Sequence, residues 1–340
     1  MLNLFMKNKP LIYKIFILLF VCELLTVLLI FLTIKNTLTL TSALHKTVVI
    51  FSFCIISLAI AVEVARDVLL NKPVVLKEYF DTRFRIRRQL KTIGIAKLKQ
   101  RYTGAALGWA WAILRPAINI FIYWFAISMG FRAARDIDGC PYFLWLIAGF
   151  IPWFYMRDMI TYGAGCYRNN MFLMKVARFP IITIPTITNI SLIPVHLGLL
   201  VIMAVIFLIS GYGISIYIIQ LPIYMLMMFV FFDFWGLFAG VLSAVSKDFL
   251  NLVNSFVIAL FWISGILYDL NGIDSRALRF IFSFNPITSI ISGYRHCFVD
   301  RTWFFEDGTA LVNYFLMLLV MIYLAIRAYK RFEKMLQDVL

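Results

Sequence analysis

The sequence predicts an all-α polytopic membrane protein with about eight transmembrane helices. Of its 340 residues, 63% are hydrophobic and only 14% are charged, and the mean hydropathy is +0.90. A water-soluble domain carries far more charge than this. The apolar residues also fall into runs that are long enough to cross a hydrocarbon layer about 30 Å thick. Lipid is therefore the predicted solvent for most of the chain.

Eight apolar runs, separated by polar or charged breaks, are predicted to span the membrane. They are Leu11 to Ile34, Thr47 to Leu70, Leu107 to Phe131, Tyr142 to Tyr162, Ile181 to Ser210, Ile214 to Val245, Phe249 to Tyr268 and Thr309 to Leu324. The first run is too long for a signal peptide and lacks a small-residue cleavage site, so it is interpreted as a helix. Three parts are predicted: an additional N-terminal helix pair at 1–70, a basic cytosolic interfacial segment at 71–101, and a six-helix transmembrane domain at 102–340.

Basic residues are concentrated in the segment between the second and third spans. From Asn71 to Arg101 there are ten lysines and arginines but only two acidic residues. The positive-inside rule places this segment in the cytosol, and counting spans from it places both termini there. The net charge of +15 is thus attributed to membrane orientation rather than to nucleic-acid binding. The basic segment is expected to lie along the membrane surface, near lipid headgroups, or else to form a solvated linker.

A break in the last outer segment predicts a re-entrant structure. The stretch from Leu278 to Ile291 is apolar but is interrupted by Asn285-Pro286. Proline removes a backbone donor and disfavours helix at the preceding residue. Two re-entrant half-helices are therefore expected before the last span, and they would shape an outer gate.

No catalytic constellation is found in the sequence. There is no Gly-Lys dipeptide, and hence no phosphate-binding loop for ATP, and no His-Glu-x-x-His metal motif. The pair Asp136 and Asp138 resembles a metal-binding Asp-x-Asp of glycosyltransferases, but a solvated turn explains it as well. The five cysteines have no metal-site spacing. The chain is therefore predicted to be no enzyme and to hold no cofactor or metal.

The segment Arg101 to Pro116, which reads RYTGAALGWAWAILRP, starts a series of landmarks that continues to the C-terminus. The later landmarks are Pro141-Tyr142, Gly149 to Phe154, Asn169 to Lys175, Phe179-Pro180, Lys247-Asp248, Asn285-Pro286 and Gly293 to Arg295. In this order they resemble the ABC-2 type permeases of polysaccharide export. Within that group the chain most resembles the teichoic-acid export permeases of Gram-positive bacteria, in the stretches Ile122 to Phe125, Phe179 to Pro185, His196 to Leu200 and Ile218 to Leu221. The N-terminal helix pair departs from the six-helix plan of that family.

The resemblance implies the permease subunit of an exporter in the bacterial cytoplasmic membrane. Its implied substrate is a surface polymer linked to undecaprenyl diphosphate, such as teichoic acid or a related polysaccharide. The implied partners are a second copy of this chain and two copies of a separate ATPase that binds ATP and Mg²⁺. The cytosolic segment Tyr167 to Arg178 corresponds to the family's coupling helix, and its apolar residues flanked by charge suit a protein interface. The coupling candidates are Asn170, Met171, Phe172, Met174, Lys175 and Arg178, with Lys247 and Asp248 at the next cytosolic turn.

Aromatic and basic residues near the first core helix are candidates for contact with the substrate. Sugars stack on aromatic rings, although membrane-interface belts and core packing also use such residues. The path candidates are Trp109, Trp111, Phe121, Tyr123, Trp124, Phe125, Trp153 and Phe154. The basic candidates for holding a lipid diphosphate are Lys97, Lys99, Arg101 and Arg115. The outer-gate candidates are Asn285, Pro286, Tyr294 and Arg295.

Two acidic residues within predicted spans, Glu23 and Asp233, have no role that the sequence assigns. Acids in the membrane are costly, so Asp233 is expected to face the pathway or to bond across helices, and Glu23 to join the additional helix pair to the core. Two other functions stay open from the sequence. One is an ABC-2 permease for a drug or small lipid, and the other is a membrane-embedded glycosyl- or acyltransferase.

Overall fold

The computed structural model describes residues 74–130, 136–137, 139–175, 179–306 and 308–339. These residues form helices joined by short turns, which confirms the all-α fold class. The helices are α1 (Val74–Arg85), α2 (Arg87–Tyr102), α3 (Trp111–Phe125), α4 (Tyr142–Ala164), α5 (Met171–Met174), α6 (Ile184–Ile209), α7 (Leu221–Val245), α8 (Lys247–Ile263), α9 (Arg276–Ser283), α10 (Pro286–Arg295) and α11 (Gly308–Val339). The two predicted N-terminal spans and Glu23 lie outside the described residues.

Five helical segments of the described chain are long and apolar enough to cross a membrane. They are 108–129, 142–164, 181–209, 216–245 and 308–333, and each coincides with a predicted span. The remaining predicted core span, Phe249 to Tyr268, is shorter in the structure. Its helix, α8, has 17 residues, or about 25 Å, and the chain turns at Gly265, whose φ is +67°.

Helices α4 and α7 form the centre of the domain. Most residues of both helices are buried, whereas α3 exposes most of its surface. Small residues let α4 and α7 approach closely, because a Cβ on Gly163 would lie 3.3 Å from the Cα of Gly236. One turn further along α7, a Cβ on Gly240 would lie 2.6 Å from the Cys166 Sγ atom. The Gly-x-x-x-Gly spacing in α7 therefore marks a real helix contact.

The basic segment is folded as two helices, α1 and α2, that meet at Ile86. Leu90, Gly94 and Leu98 recur every four residues on one face of α2 and are buried. This face packs against α6, where a Cβ on Gly94 would lie 2.7 Å from the Ile190 Cγ2 atom. The segment is thus docked against the transmembrane helices, while most of its basic side chains are exposed.

The predicted pair of half-helices is present as α9 and α10, with the break at Asn285-Pro286. The Asn285 Oδ1 atom accepts a hydrogen bond of 3.0 Å from the Ile287 backbone N–H, which caps α10. Pro286 is the first residue of α10, where its missing N–H costs no helical hydrogen bond. The end of the domain that carries these half-helices is the one predicted to face outside, and it is called the outer end below.

Candidate functional site

A buried ion pair joins α1, the first helix of the basic segment, to the middle of α7. The Arg83 Nη2 atom lies 3.2 Å from the Asp233 Oδ2 atom, and both side chains are almost fully buried. Tyr79 donates a hydrogen bond to the same oxygen of Asp233, and its ring stacks on Phe234 at 4.5 Å. Asp233 therefore bonds across helices, which is one of the two roles that the sequence left open.

Uncharged groups from α4 and α6 complete the surroundings of Asp233. Thr186 donates a hydrogen bond of 3.0 Å to its Oδ2 atom, and Asn189 lies 3.3 Å from its Oδ1 atom. Tyr155 of α4 donates in turn to Asn189. The carboxylate is thus hydrogen-bonded on both oxygens, as a charge in this environment requires.

Lys97, one of the four basic candidates, points into the protein. Its Nζ atom lies 3.2 Å from the Asn170 Oδ1 atom and 3.1 Å from the Thr188 Oγ1 atom. Burial lowers the pKa of Lys97 from 10.5 to about 8. Because the ammonium group bonds to the coupling segment, Lys97 connects α2 to that segment rather than facing a lipid headgroup.

The segment predicted to couple to an ATPase, Tyr167 to Arg178, contains the short helix α5. Phe172 is 63% exposed, and Met171 and Lys175 are also exposed. Asn170 is buried and donates a hydrogen bond of 2.5 Å to the Cys166 carbonyl, and Met174 is half-buried. Of the predicted coupling residues, Arg178 lies outside the described residues.

Arg168, which the sequence did not single out, connects the predicted coupling segment to the turn between α7 and α8. Arg168 donates hydrogen bonds of 2.6 Å to the Ser243 carbonyl and 3.2 Å to the Ala244 carbonyl, at the end of α7. The next turn carries the exposed Lys247 and Asp248. We call the exposed residues of both turns the docking surface: Met171, Phe172, Lys175, Lys247 and Asp248.

Two of the basic candidates line a cleft near the start of α3 and the end of α4. Arg101 lies 4.5 Å from the centre of the Tyr162 ring, and Arg115 lies 5.5 Å from that of Trp111. All four residues line the cleft. Lys99 is exposed and lies outside the lining.

A third arginine, Arg157 of α4, also lines this cleft and was not among the sequence candidates. Its Nη2 atom lies 2.8 Å from the Asp158 Oδ1 atom, and its guanidinium lies 5.4 Å from the centre of the Phe154 ring. The only signal in the sequence was a charged pair inside an apolar span. We call the region around Arg101, Arg115 and Arg157 the basic cleft.

The aromatic path candidates divide between two faces of α3 and its neighbours. Trp109, Phe121 and Phe125 are more than half exposed. Tyr123 instead packs on Phe261 at 4.9 Å. Exposed rings and packing rings thus occur on the same helix.

The other aromatic candidates are less accessible. Trp124 packs on Phe143 at 5.7 Å, and Trp153 is buried against Phe261 at 5.6 Å. Phe154 is buried in the lining of the basic cleft. Packing within one copy of the chain therefore explains where the Trp124 and Trp153 rings lie.

Polar side chains are exposed on α3 and α8, among apolar neighbours. On α3 these are Arg115 and the half-buried Asn119, and on α8 they are Asn251, Asn254 and Ser255. Polar groups at lipid-facing positions are costly, so such residues normally face protein or water. The exposed faces of α3 and α8 therefore suit contact with a second protein surface or with a hydrated path.

The outer-gate candidates attach the half-helices to the rest of the domain. The Tyr294 hydroxyl lies 2.8 Å from the His196 Nε2 atom of α6. Arg295 lies 3.2 Å from the centre of the Trp145 ring of α4. It fits there because Gly149 has no side chain, since a Cβ at that position would lie 2.6 Å from the Arg295 Nη2 atom.

Comparison with known proteins identifies the family of the chain. Residues 88–299 match the ABC-2 type transporter family. The O-antigen export system permease protein RfbA of Myxococcus xanthus is 23% identical over 209 residues, which are 60% of this chain and 78% of that protein. A protein of the same name from Klebsiella pneumoniae is 24% identical over 212 residues, 62% of this chain and 79% of its own. As the family match covers more than half of the sequence, the chain belongs to the ABC-2 type transporter family.

Proposed function

We propose that this chain is the permease subunit of an ATP-driven exporter that carries a lipid-linked surface polysaccharide out across the bacterial cytoplasmic membrane. Two copies of the chain would form the path, and two copies of a separate ATPase would drive it. Both termini would lie in the cytosol. The substrate would be a teichoic acid or a related glycan on undecaprenyl diphosphate.

The exposed polar residues of α3 and α8 carry the proposal. The exposed Asn254 and Ser255, with the half-buried Asn119, would be costly against lipid, but they suit a hydrated path between two copies that passes a chain rich in hydroxyl groups. Exposed rings on the same helix, Phe121 and Phe125, offer flat apolar surfaces for sugar faces. The match to the ABC-2 type transporter family alone leaves a drug or small lipid open as the substrate, and these residues favour a glycan.

The basic cleft is proposed to hold the diphosphate of the lipid carrier. Guanidinium groups bind phosphate oxygens in pairs and remain charged at any physiological pH. Arg101, Arg115 and Arg157 together supply three such groups, of which Arg157 is already paired with Asp158. A net positive site beside the membrane interface suits a diphosphate better than a neutral headgroup.

Reconstitution tests the proposal. The full chain is combined with candidate ATPase subunits in proteoliposomes, and ATP-dependent translocation of a radiolabelled undecaprenyl-diphosphate-linked glycan is measured. We expect Arg101→Ala with Arg157→Ala to weaken the apparent affinity for this substrate at least about tenfold, as the loss of charge-assisted hydrogen bonds requires. Lys99→Ala, an exposed residue of the same helix, serves as the control. Transport of a small lipid but not of the glycan would favour the alternative substrate class.

A further inference from the structure

A polar cavity of about 350 Å³ lies at the outer end of the domain. The turn after α8, the half-helices α9 and α10, and the start of α11 surround it. The basic cleft lies at the opposite end of α4: Trp145 lines the outer cavity and Arg157 lines the cleft. Twelve helical residues separate these two, or about 18 Å along the axis. The cavity is therefore a second site, apart from the one proposed for the diphosphate.

Hydroxyl groups are the most frequent polar groups in the lining of this outer cavity. They belong to Ser264, Ser283, Thr288, Ser289, Ser292 and Thr309. In the described part of the chain, Ser289 and Ser292 make no side-chain hydrogen bond. They are three residues apart on α10 and so share a face. Their hydroxyl groups are available both to donate to a ligand and to accept from it.

Charged groups of both signs share the lining with these hydroxyls. Arg279, Arg295 and His296 are accompanied by Asp269 and Asp300, and the His296 Nε2 atom lies 3.8 Å from the Asp300 Oδ2 atom. A lone anion or cation would meet groups of its own sign here. A neutral ligand with many hydroxyl groups can instead use the carboxylates as acceptors and the Arg279 guanidinium as a donor.

The wall of the cavity is held in place before any ligand binds. Arg295 donates hydrogen bonds of 2.8 Å and 2.9 Å to the carbonyls of Gly265 and Ile266, in the turn after α8. Asn285 donates a hydrogen bond of 2.8 Å to the Ser264 hydroxyl. Asn313 of α11 donates one of 2.7 Å to Ser283. Such preorganisation lowers the entropy lost on binding.

We infer that the outer cavity is a carbohydrate-binding site that takes one or two sugar units of the emerging glycan. The volume lies in the range of small-molecule sites, about 300–1,000 Å³. The lining chemistry alone indicates a neutral polyhydroxyl compound. That this compound is the exported glycan rests on the proposed function. By holding sugar units at the outer end, the site would oppose backward movement of the polymer between ATP-driven steps.

Cross-linking during export tests this inference directly. A small diazirine amino acid is placed at position 292 of the full chain, which is assembled with its ATPase in proteoliposomes supplied with the lipid-linked glycan and ATP. Illumination should yield a permease adduct that carries glycan and disappears on periodate treatment. The same amino acid at position 210, an exposed serine at the end of α6, should yield at most about a tenth as much. Equal yields at both positions, or no adduct at 292 during measurable export, would overturn the inference.

A second variant tests the role of the site in transport. Ser289→Leu with Ser292→Leu fills the cavity with apolar groups, and we expect glycan export to fall at least about fivefold with the protein still assembled with its ATPase. Ser210→Leu should export normally. If wild-type protein exports the glycan and the filled variant does so at the same rate, the cavity inference fails while the proposed function stands. If wild-type protein exports no glycan, the proposed function itself fails.

Discussion

Arg83 of α1 forms a buried ion pair with Asp233 in the middle of the membrane-spanning helix α7, at 3.2 Å. Arg83 also donates to the Ile182 carbonyl and to the Thr186 hydroxyl, at 2.9 Å and 2.7 Å. One side chain thus ties the basic segment to two helices of the core. Any movement of α1 away from the domain must break this set of bonds.

Removal of either partner of this ion pair should destabilise the protein strongly. Asp233→Ala leaves the buried Arg83 without its counter-charge, and we expect a loss of about 3–5 kcal/mol in unfolding free energy. This loss is followed as a fall in the melting temperature of the purified protein in detergent. Arg85→Ala, at an exposed position of the same helix, should change stability by less than about 0.5 kcal/mol. Equal effects of both substitutions would contradict a structural role for the pair.

Sequence patterns predicted part of this arrangement. Asp233, an acid inside an apolar span, was visible as an anomaly. Its pairing with Arg83 was not, because 150 positions separate the two residues and no local periodicity relates α1 to α7. The half-helix break at Asn285-Pro286 was predicted because proline acts locally. The predicted span ended at Tyr268, whereas α8 ends at Ile263. The sequence missed this end because apolar residues continue to Tyr268, beyond the turn at Gly265.

Lys97 should give the protein a pH-dependent stability. Its pKa is lowered by burial to about 8, so between pH 8 and 10.5 the unfolded chain holds a proton that the folded chain has released. Stability must therefore rise with pH in this range, and the penalty of about 3 kcal/mol present below pH 8 is relieved. Lys97→Met removes this dependence. The melting temperatures at pH 7.5 and pH 9.5 should differ less in the Lys97→Met variant than in the wild-type protein. Equal differences in the two proteins would contradict the prediction.

Phe172 should be the main apolar anchor of the docking surface. It is exposed, so Phe172→Ala should not affect folding, but loss of a central aromatic contact costs about 2 kcal/mol at a protein interface. The dissociation constant for the ATPase should rise about 30-fold, measured by titration in detergent. Phe80→Ala, an equally exposed ring on α1, is the matched control. Unchanged ATPase affinity in Phe172→Ala would move the interface elsewhere.

Two glycines should respond to alanine in opposite directions. A Cβ on Gly293 would lie 2.1 Å from the Tyr224 ring, whereas one on Gly198 would meet nothing within 4 Å. Gly293→Ala must displace α10 or the ring, at a cost of about 1–3 kcal/mol. Gly198→Ala should stabilise α6 by up to about 1 kcal/mol, because alanine favours helix. Melting temperatures that move in the same direction would contradict the packing of α10 against α7.

The division of the aromatic candidates could be predicted only in part. A helical spacing of four residues places Phe121 and Phe125 on one face of α3, and Tyr123 falls on another. Which face packs inward depends on the neighbours supplied by α4 and α8, and these are distant in sequence. The same limit applies to Arg157, which became a cleft residue only when α4 was placed beside α2 and α3.

The exposed and the packed rings of α3 should therefore give different phenotypes when they are removed. Trp109→Ala, Phe121→Ala and Phe125→Ala together should lower glycan export at least about tenfold while melting temperature and ATPase-dependent hydrolysis stay near wild type, if these rings contact the moving polymer. Tyr123→Ala and Trp124→Ala should instead each lower the unfolding free energy, by less than the about 3–5 kcal/mol that a fully buried ring loses, because both rings are partly buried against the core, and export should fall in step with protein yield. Export and melting temperature measured on the same preparations separate the two groups. Normal export by the stable triple variant would remove the exposed face of α3 from the path and leave the polar face of α8, with Asn254 and Ser255, as the surface to test next.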